Sequence, residues 1–164
     1  MRRLVMMSVM VVAVGAASLV AQVQSKQANI KVTANVIGNC LVTTGDVAFG
    51  NYDPVGANAA TPADATGYVE LTCSQGVVAT IAMGGGQNYG ASSRRMVGPN
   101  TAMLNYALYQ DANRTTPWLT NPGLALGAAP STAPRRLTVY GRLPAGQDQP
   151  VGSYLDTVLV TVTF

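Results

Sequence analysis

Cys40 and Cys73 are the only thiols of this chain, and no histidine accompanies them. Two sulfur ligands 33 positions apart, with no imidazole anywhere, do not make a zinc site, which takes several such ligands close together. The same absence removes the commonest general base, and no nucleophile is clustered with a substitute for it. Seven carboxylates remain: Asp46, Asp53, Asp64, Glu70, Asp111, Asp148 and Asp156. They are scattered, several at turns, and nothing in their spacing pairs two of them as glycoside hydrolysis requires. Gly84-Gly85-Gly86-Gln87-Asn88-Tyr89-Gly90 shares only its glycine content with a phosphate-cradling loop. It lacks the Gly-Lys-Ser/Thr ending and a following helix, and is read as a flexible hairpin loop. No calcium-loop pattern is present. Trp118 could stack on a sugar if it were exposed in its loop, but the preferred reading has it capping one end of the core. The expectation is a non-enzymatic protein with no catalytic residue, no metal ligand and no cofactor.

The elements that would position these residues begin with a leader. Arg2 and Arg3 precede a run of apolar and small residues, Leu4–Val20, after which the chain turns polar at Gln22-Val23-Gln24-Ser25-Lys26. A basic start, an apolar core and small residues at its end make a secretory signal peptide. A run of about 17 residues also reaches the lower limit for a bilayer span, so a retained anchor is the alternative. The small residues Gly15, Ala16, Ala17, Ser18 and Ala21 favour cleavage, after Ser18, Ala21 or Ser25. Residues 1–21 are assigned to the leader, and no membrane span is expected in the mature chain. In an exported protein two cysteines read by default as a disulfide. Closing a loop of about 34 residues contributes roughly 3.5–4 kcal/mol in the chain-entropy model.

The mature chain beyond the leader, roughly 140 residues, suits one domain with a full core. Its periodicity is two throughout. Ile30, Val32, Ala34 and Val36 share one face of Asn29–Val36, with Lys31, Thr33 and Asn35 opposite. Val69, Leu71 and Cys73 alternate with Tyr68, Glu70 and Thr72. The same pattern runs through Val77, Ala79, Ile81 and Met83, through Leu104, Tyr106 and Leu108, through Leu137, Val139 and Leu143, and through Val158, Val160, Val162 and Phe164. Such runs are half-buried antiparallel strands. Turn signals separate them at Gly50–Pro54, Gly84–Gly86, Gly98–Asn100 and Pro144–Gly146, and Thr115–Pro134 reads as a long irregular crossing loop. Seven or eight strands in this length predict an all-β sandwich with Greek-key connections. The chain stops at Phe164 inside a good strand and offers no further strand to close the fold. Asn29–Val36, an equally good strand, could pair with it within a monomer or serve the next copy of a polymer.

Charged residues make up 10% of the chain, against about 25% in ordinary soluble domains. Without Arg2 and Arg3 the formal charge of +3 falls to about +1, so nucleic acid meets no electrostatic footprint. The basic pairs Arg94-Arg95 and Arg135-Arg136 read as solvated strand ends. A surface of Thr, Asn, Gln, Ser, Gly and Ala gives weak repulsion between copies, which suits a protein that associates.

Several segments, in order, carry a family resemblance. An alternating strand leads into Gly38-Asn39-Cys40. Val47-Ala48-Phe49-Gly50-Asn51-Tyr52 contains an FGxY strand-turn, and Gly67–Cys73 carries the second cysteine. Leu104–Asp111, followed by Arg114 and Pro117-Trp118, follows a YxLYxD…R…W pattern, and Gly152–Phe164 matches GxYxDTVxVTVxF. Over nearly the whole mature length the chain resembles the spore coat protein U family, which includes pilins of archaic chaperone–usher systems of the Csu type.

The resemblance implies an incomplete immunoglobulin-like β-sandwich that lacks its last strand and is completed by a donated one. A periplasmic chaperone would fill the hydrophobic groove first. The N-terminal strand of another subunit would replace it during assembly at an outer-membrane usher. Carried over, residues 22–37 form the donor segment and 38–164 the pilin domain. The donor face is Ile30, Val32, Ala34 and Val36, where Ala34 is smaller than a donor pocket usually takes. Cys40 and Cys73 form the family disulfide. The groove edge, and the chaperone's handle, is the terminal strand with Tyr154, Val158, Val160, Val162 and Phe164. The implied role is a subunit of a surface fibre, exported through the periplasm and supporting adhesion or biofilm formation, its partners being the chaperone, the usher and other subunits. Two other classes stay open: a structural spore or cell coat protein that does not exchange strands, and a monomeric exported sugar-binding sandwich.

Overall fold

The computed structural model describes residues 22–164, and the leader assigned to 1–21 lies outside them. Two units are distinguished, one ending at Asn35 and one running from Val36 to Phe164. In the first, residues 22–35 form neither helix nor strand and are exposed throughout. The strand expected over Asn29–Val36 is therefore not formed in the single chain. Alternation supplies a face, but a strand also needs a neighbouring backbone to take its N–H and C=O groups.

Strands of the second unit form where period-two runs find such neighbours. They are β1 (Cys40–Gly45), β2 (Ala63–Cys73), β3 (Ala79–Met83), β4 (Arg94–Val97), β5 (Met103–Tyr109), β6 (Leu124–Leu126), β7 (Arg135–Leu143) and β8 (Val160–Thr163). A five-stranded sheet has the order β1-β2-β7-β5-β4 and a three-stranded sheet the order β6-β3-β8, all pairs antiparallel. Inward residues of the two sheets make one core. Val69, Leu71 and Cys73 of β2, Leu104, Tyr106 and Leu108 of β5, and Val139 and Leu143 of β7 are buried on one side. Ala79, Ile81 and Met83 of β3 are buried on the other. The tight turn from β2 to β3 closes through Val77 N–H donating to the Ser74 carbonyl at 3.2 Å. Its third residue, Gly76, has φ +86°, a backbone state that glycine adopts without penalty.

Three expectations are corrected. Gly84–Gly90 is not a hairpin loop: it joins β3 and β4, which belong to different sheets, so it crosses from one layer to the other. Thr115–Pro134 is not wholly irregular, because Leu124–Leu126 pairs with β3 as β6. Arg94 is not solvated. It pairs with Tyr106 on the inward face of β4 and is only 7% exposed, which its hydrogen bonds permit. Its Nε donates to the Gly84 carbonyl at 2.9 Å, and its Nη2 to the carbonyls of Met83 at 3.1 Å and Trp118 at 2.6 Å. A buried guanidinium is tolerated when such acceptors replace water. Burial lowers its pKa, while Tyr106, Tyr89 and Asp156 oppose the shift.

Candidate functional site

The terminal strand β8 pairs with β3 alone among the described residues, from Thr80–Thr163 to Met83–Val160. Its other backbone edge is free, and no strand of the small sheet lies beyond it. On the facing sheet, Val42 and Thr44 of β1 stand opposite Leu71 and Val69, so their side chains share the inward face with those core residues. Yet both are exposed, Val42 by 41%. The small sheet is one strand too narrow to cover them.

Next to Thr44 lies a groove of about 1020 Å³. One wall is the segment Thr44–Tyr52, the other Gln147–Val160, and its floor includes Val69, Leu104, Leu108, Val139 and Leu143. Val47, Phe49 and Tyr52 turn toward the core with Val158 and Val160 across from them, all partly buried. Gly141 of β7 makes room for the first wall: a Cβ there would come within 2.6 Å of Val47 and 2.8 Å of Phe49. Tyr52 fixes the end of that wall. Its hydroxyl donates to the Pro144 carbonyl at 2.7 Å and accepts from the Gln147 N–H at 3.0 Å.

Of the residues assigned to the groove edge, Tyr154, Val158, Val160 and Val162 are half-buried and turn toward the core. Phe164 lies past the end of β8 and is 57% exposed. The Tyr154 hydroxyl donates to the Pro150 carbonyl at 2.7 Å. Between Tyr154 and β8 the chain passes from one sheet to the other. Leu155 exchanges backbone hydrogen bonds with Val97 of β4, and the Leu159 carbonyl accepts from Gly84. At this crossing the Asp156 carboxylate accepts from the Tyr106 hydroxyl at 2.7 Å, from Asn88 Nδ2 at 3.0 Å and from the Asn88 N–H at 3.2 Å. Burial, and then Asp156, push the Tyr106 pKa up, so it stays a donor. Spacing alone does not single out this carboxylate; its place in the terminal motif is the available signal.

Cys40 and Cys73 stand directly opposite each other on β1 and β2, their Cα atoms 4.1 Å apart, and are joined by a disulfide. Just before it, the Ser74 N–H donates to the Asn39 carbonyl at 2.8 Å, and the Ser74 hydroxyl bonds Asn39 N–H and the Ile37 carbonyl, each at 3.2 Å. The point where the chain enters the sandwich is thus held covalently and by hydrogen bonds. Upstream, Ile30 and Val32 are 88% exposed and Val36 90%, and Ala34 is exposed too.

The remaining chemical groups serve the scaffold. Asp64 is bidentate with Arg142 at 2.8 Å and lies 3.2 Å from Arg114. The hydrogen bond from Arg142, and then the charge of Arg114, lower its pKa. Glu70 pairs with Arg136 at 2.9 Å, whose guanidinium sits 4.0 Å over Tyr68. Asp53 and Asp111 accept backbone N–H groups in their own turns, and Asp46 and Asp148 are exposed. Trp118 is fully buried and donates from Nε1 to the Ile81 carbonyl at 3.1 Å, which removes the exposed stacking platform a sugar site would need. Among the described residues no group of three or more His, Cys, Asp or Glu could hold a metal, and no helix is long and apolar enough to cross a membrane.

Comparison with known proteins settles the lineage. The model of the Spore Coat Protein U domain matches residues 26–161. The chain belongs to that family. Protein U of Myxococcus xanthus is 37% identical over 166 residues, which span 91% of this chain and 93% of that protein. Among solved structures, the fold is similar to a chain of the CsuC–CsuE chaperone–tip adhesion subunit pre-assembly complex, from the archaic chaperone–usher Csu pili of Acinetobacter baumannii. The TM-score is 0.56 at 21% identity, covering 79% of this chain and 40% of that one. The match confirms the incomplete immunoglobulin-like sandwich, and this chain spans well under half of the solved chain.

Proposed function

We propose that this chain is a structural subunit of a chaperone–usher surface fibre, joined to its neighbours by donor-strand complementation. The observation that carries this reading is the groove beside the unpaired edge of β8, in a chain that also holds an alternating apolar segment with no strand partner. A strand added to β8 would take its free backbone groups and cover the inward faces of Val42 and Thr44. Alternate side chains, Ile30, Val32, Ala34 and Val36 of another copy, would enter the groove. Residues 22–37 are then the donor segment and 38–164 the receiving domain, after loss of a leader over 1–21.

An open groove and an unpaired edge are aggregation hazards. A periplasmic chaperone would occupy the groove before assembly, and an outer-membrane usher would release the growing fibre to the cell surface, where adhesion and biofilm formation are its uses. Co-expression tests this reading. Without a periplasmic chaperone of the chaperone–usher class, the mature chain should aggregate or be degraded; with it, a soluble one-to-one complex should elute from gel filtration. A stable monomer without any chaperone would overturn the proposal and favour a coat protein that does not exchange strands.

A further inference from the structure

The groove-edge strand has a weakness that its hydrophobic pattern does not repair. Val158, Val160 and Val162 are similar side chains at period two, and β3 offers Ala79, Ile81 and Met83 at the same period. A slip of one residue would turn the apolar face outward and is forbidden. A slip of two keeps every valine inward, so alternation leaves it open. Something outside the ladder must choose the register of β8 on β3.

We infer that Asp156, held by Tyr106 and Asn88, is the positioning residue that sets this register and so places the backbone edge offered to an incoming strand. The inference rests on the donor-strand reading above. Asp156 sits where the chain has left Val97 of one sheet and not yet reached β3 of the other. Its three bonds reach two separate elements, β5 through Tyr106 and the β3–β4 crossing through Asn88. All three partners donate, which calls for an acceptor-only group, and an ionised carboxylate is one. The crossing is shaped around it: Gly86 has φ +91°, and a Cβ there would collide with the Asp156 carboxylate. A two-residue slip would pull the carboxylate off every one of these donors and leave the buried Tyr106 hydroxyl unpaired. Tyr106 and Asp156 also both line the groove, so the pin lies beside the face it positions.

The test uses the full mature chain held by its chaperone, with a fluorescent peptide of residues 27–37 as the incoming strand. Peptide capture and release are followed by anisotropy, and exchange of the Val160–Thr163 amides by mass spectrometry. Asp156→Asn should speed peptide release about tenfold and loosen those amides. Tyr106→Phe, which keeps the ring in the core, should do the same to a lesser degree. Asn58→Ala, a buried polar change in the turn after the first groove wall, serves as a control for general destabilisation. If the unaltered chain captures no peptide, the donor-strand function itself fails. If it captures peptide but Asp156→Asn releases it no faster than Asn58→Ala does, the register pin is wrong.

Discussion

Val32 stands in the middle of the exposed apolar face, and changing it tests the polymer directly. Its side chain is 88% exposed in the single chain, so nearly all the gain from burial is still available to an assembly step. Burying one valine is worth about 1.5–3 kcal/mol. Val32→Ala should forfeit part of that and weaken strand exchange about tenfold. Val32→Asp loses it all and must also desolvate a carboxylate in a groove floored by Val69, Leu104 and Val139. A total of at least about 3 kcal/mol, roughly a hundredfold, is expected. Thr33→Asp places the same charge on the opposite face and should change little. Deleting Gln27–Ile37 should abolish chain growth while leaving the chaperone complex intact, because the groove of each subunit is untouched. Ladders resistant to mild denaturant, resolved without boiling, report the polymer, and gel filtration reports the chaperone complex. Equal damage from Thr33→Asp and Val32→Asp, or ladders from the deletion variant, would refute the assignment of the donor face.

Trp118→Ala should cost roughly 3–5 kcal/mol through the cavity it leaves and would also remove the indole hydrogen bond to the Ile81 carbonyl. Against a total stability of about 5–15 kcal/mol, the yield of soluble chaperone complex should fall sharply, and an unchanged yield would contradict the packing described. Asp111 provides a pH prediction: the Thr115 N–H first, with the Thr116 N–H and the threonine hydroxyls, lowers its pKa from the ordinary 3.8 to about 2. Because the folded value is the lower one, its contribution to stability is complete above 3.8 and disappears as pH falls through about 2. The stability difference between the native chain and Asp111→Asn should therefore shrink over that interval. A difference that stays constant down to pH 2 would show that the turn does not hold the carboxylate.

Sequence alone reveals the central strands because β2, β3, β5 and β7 are covered on their inward face, and coverage is what makes alternation strict. It passes over β1, whose inward Val42 is exposed because no strand lies above it, while the apolar Leu41 sits on the outward face beside Thr72. It also passes over β4, where the core-facing position belongs to Arg94, whose charge is solvated by the carbonyls of Met83, Gly84 and Trp118. Those carbonyls lie 10, 11 and 24 positions away, and nothing in the pattern around Arg94 points to them. The three residues of β6 are too few to show any period. Asp156 escapes for a similar reason: its donors lie 50 and 68 positions away, and only the fold brings them to the crossing. Asn29–Val36 is the opposite case, a strand pattern as good as that of β2 with no ladder in the chain that carries it. A single folded copy gives that alternation nothing to face, whereas under the proposed function the groove edged by a terminal strand with a free backbone would give it a destination in another copy.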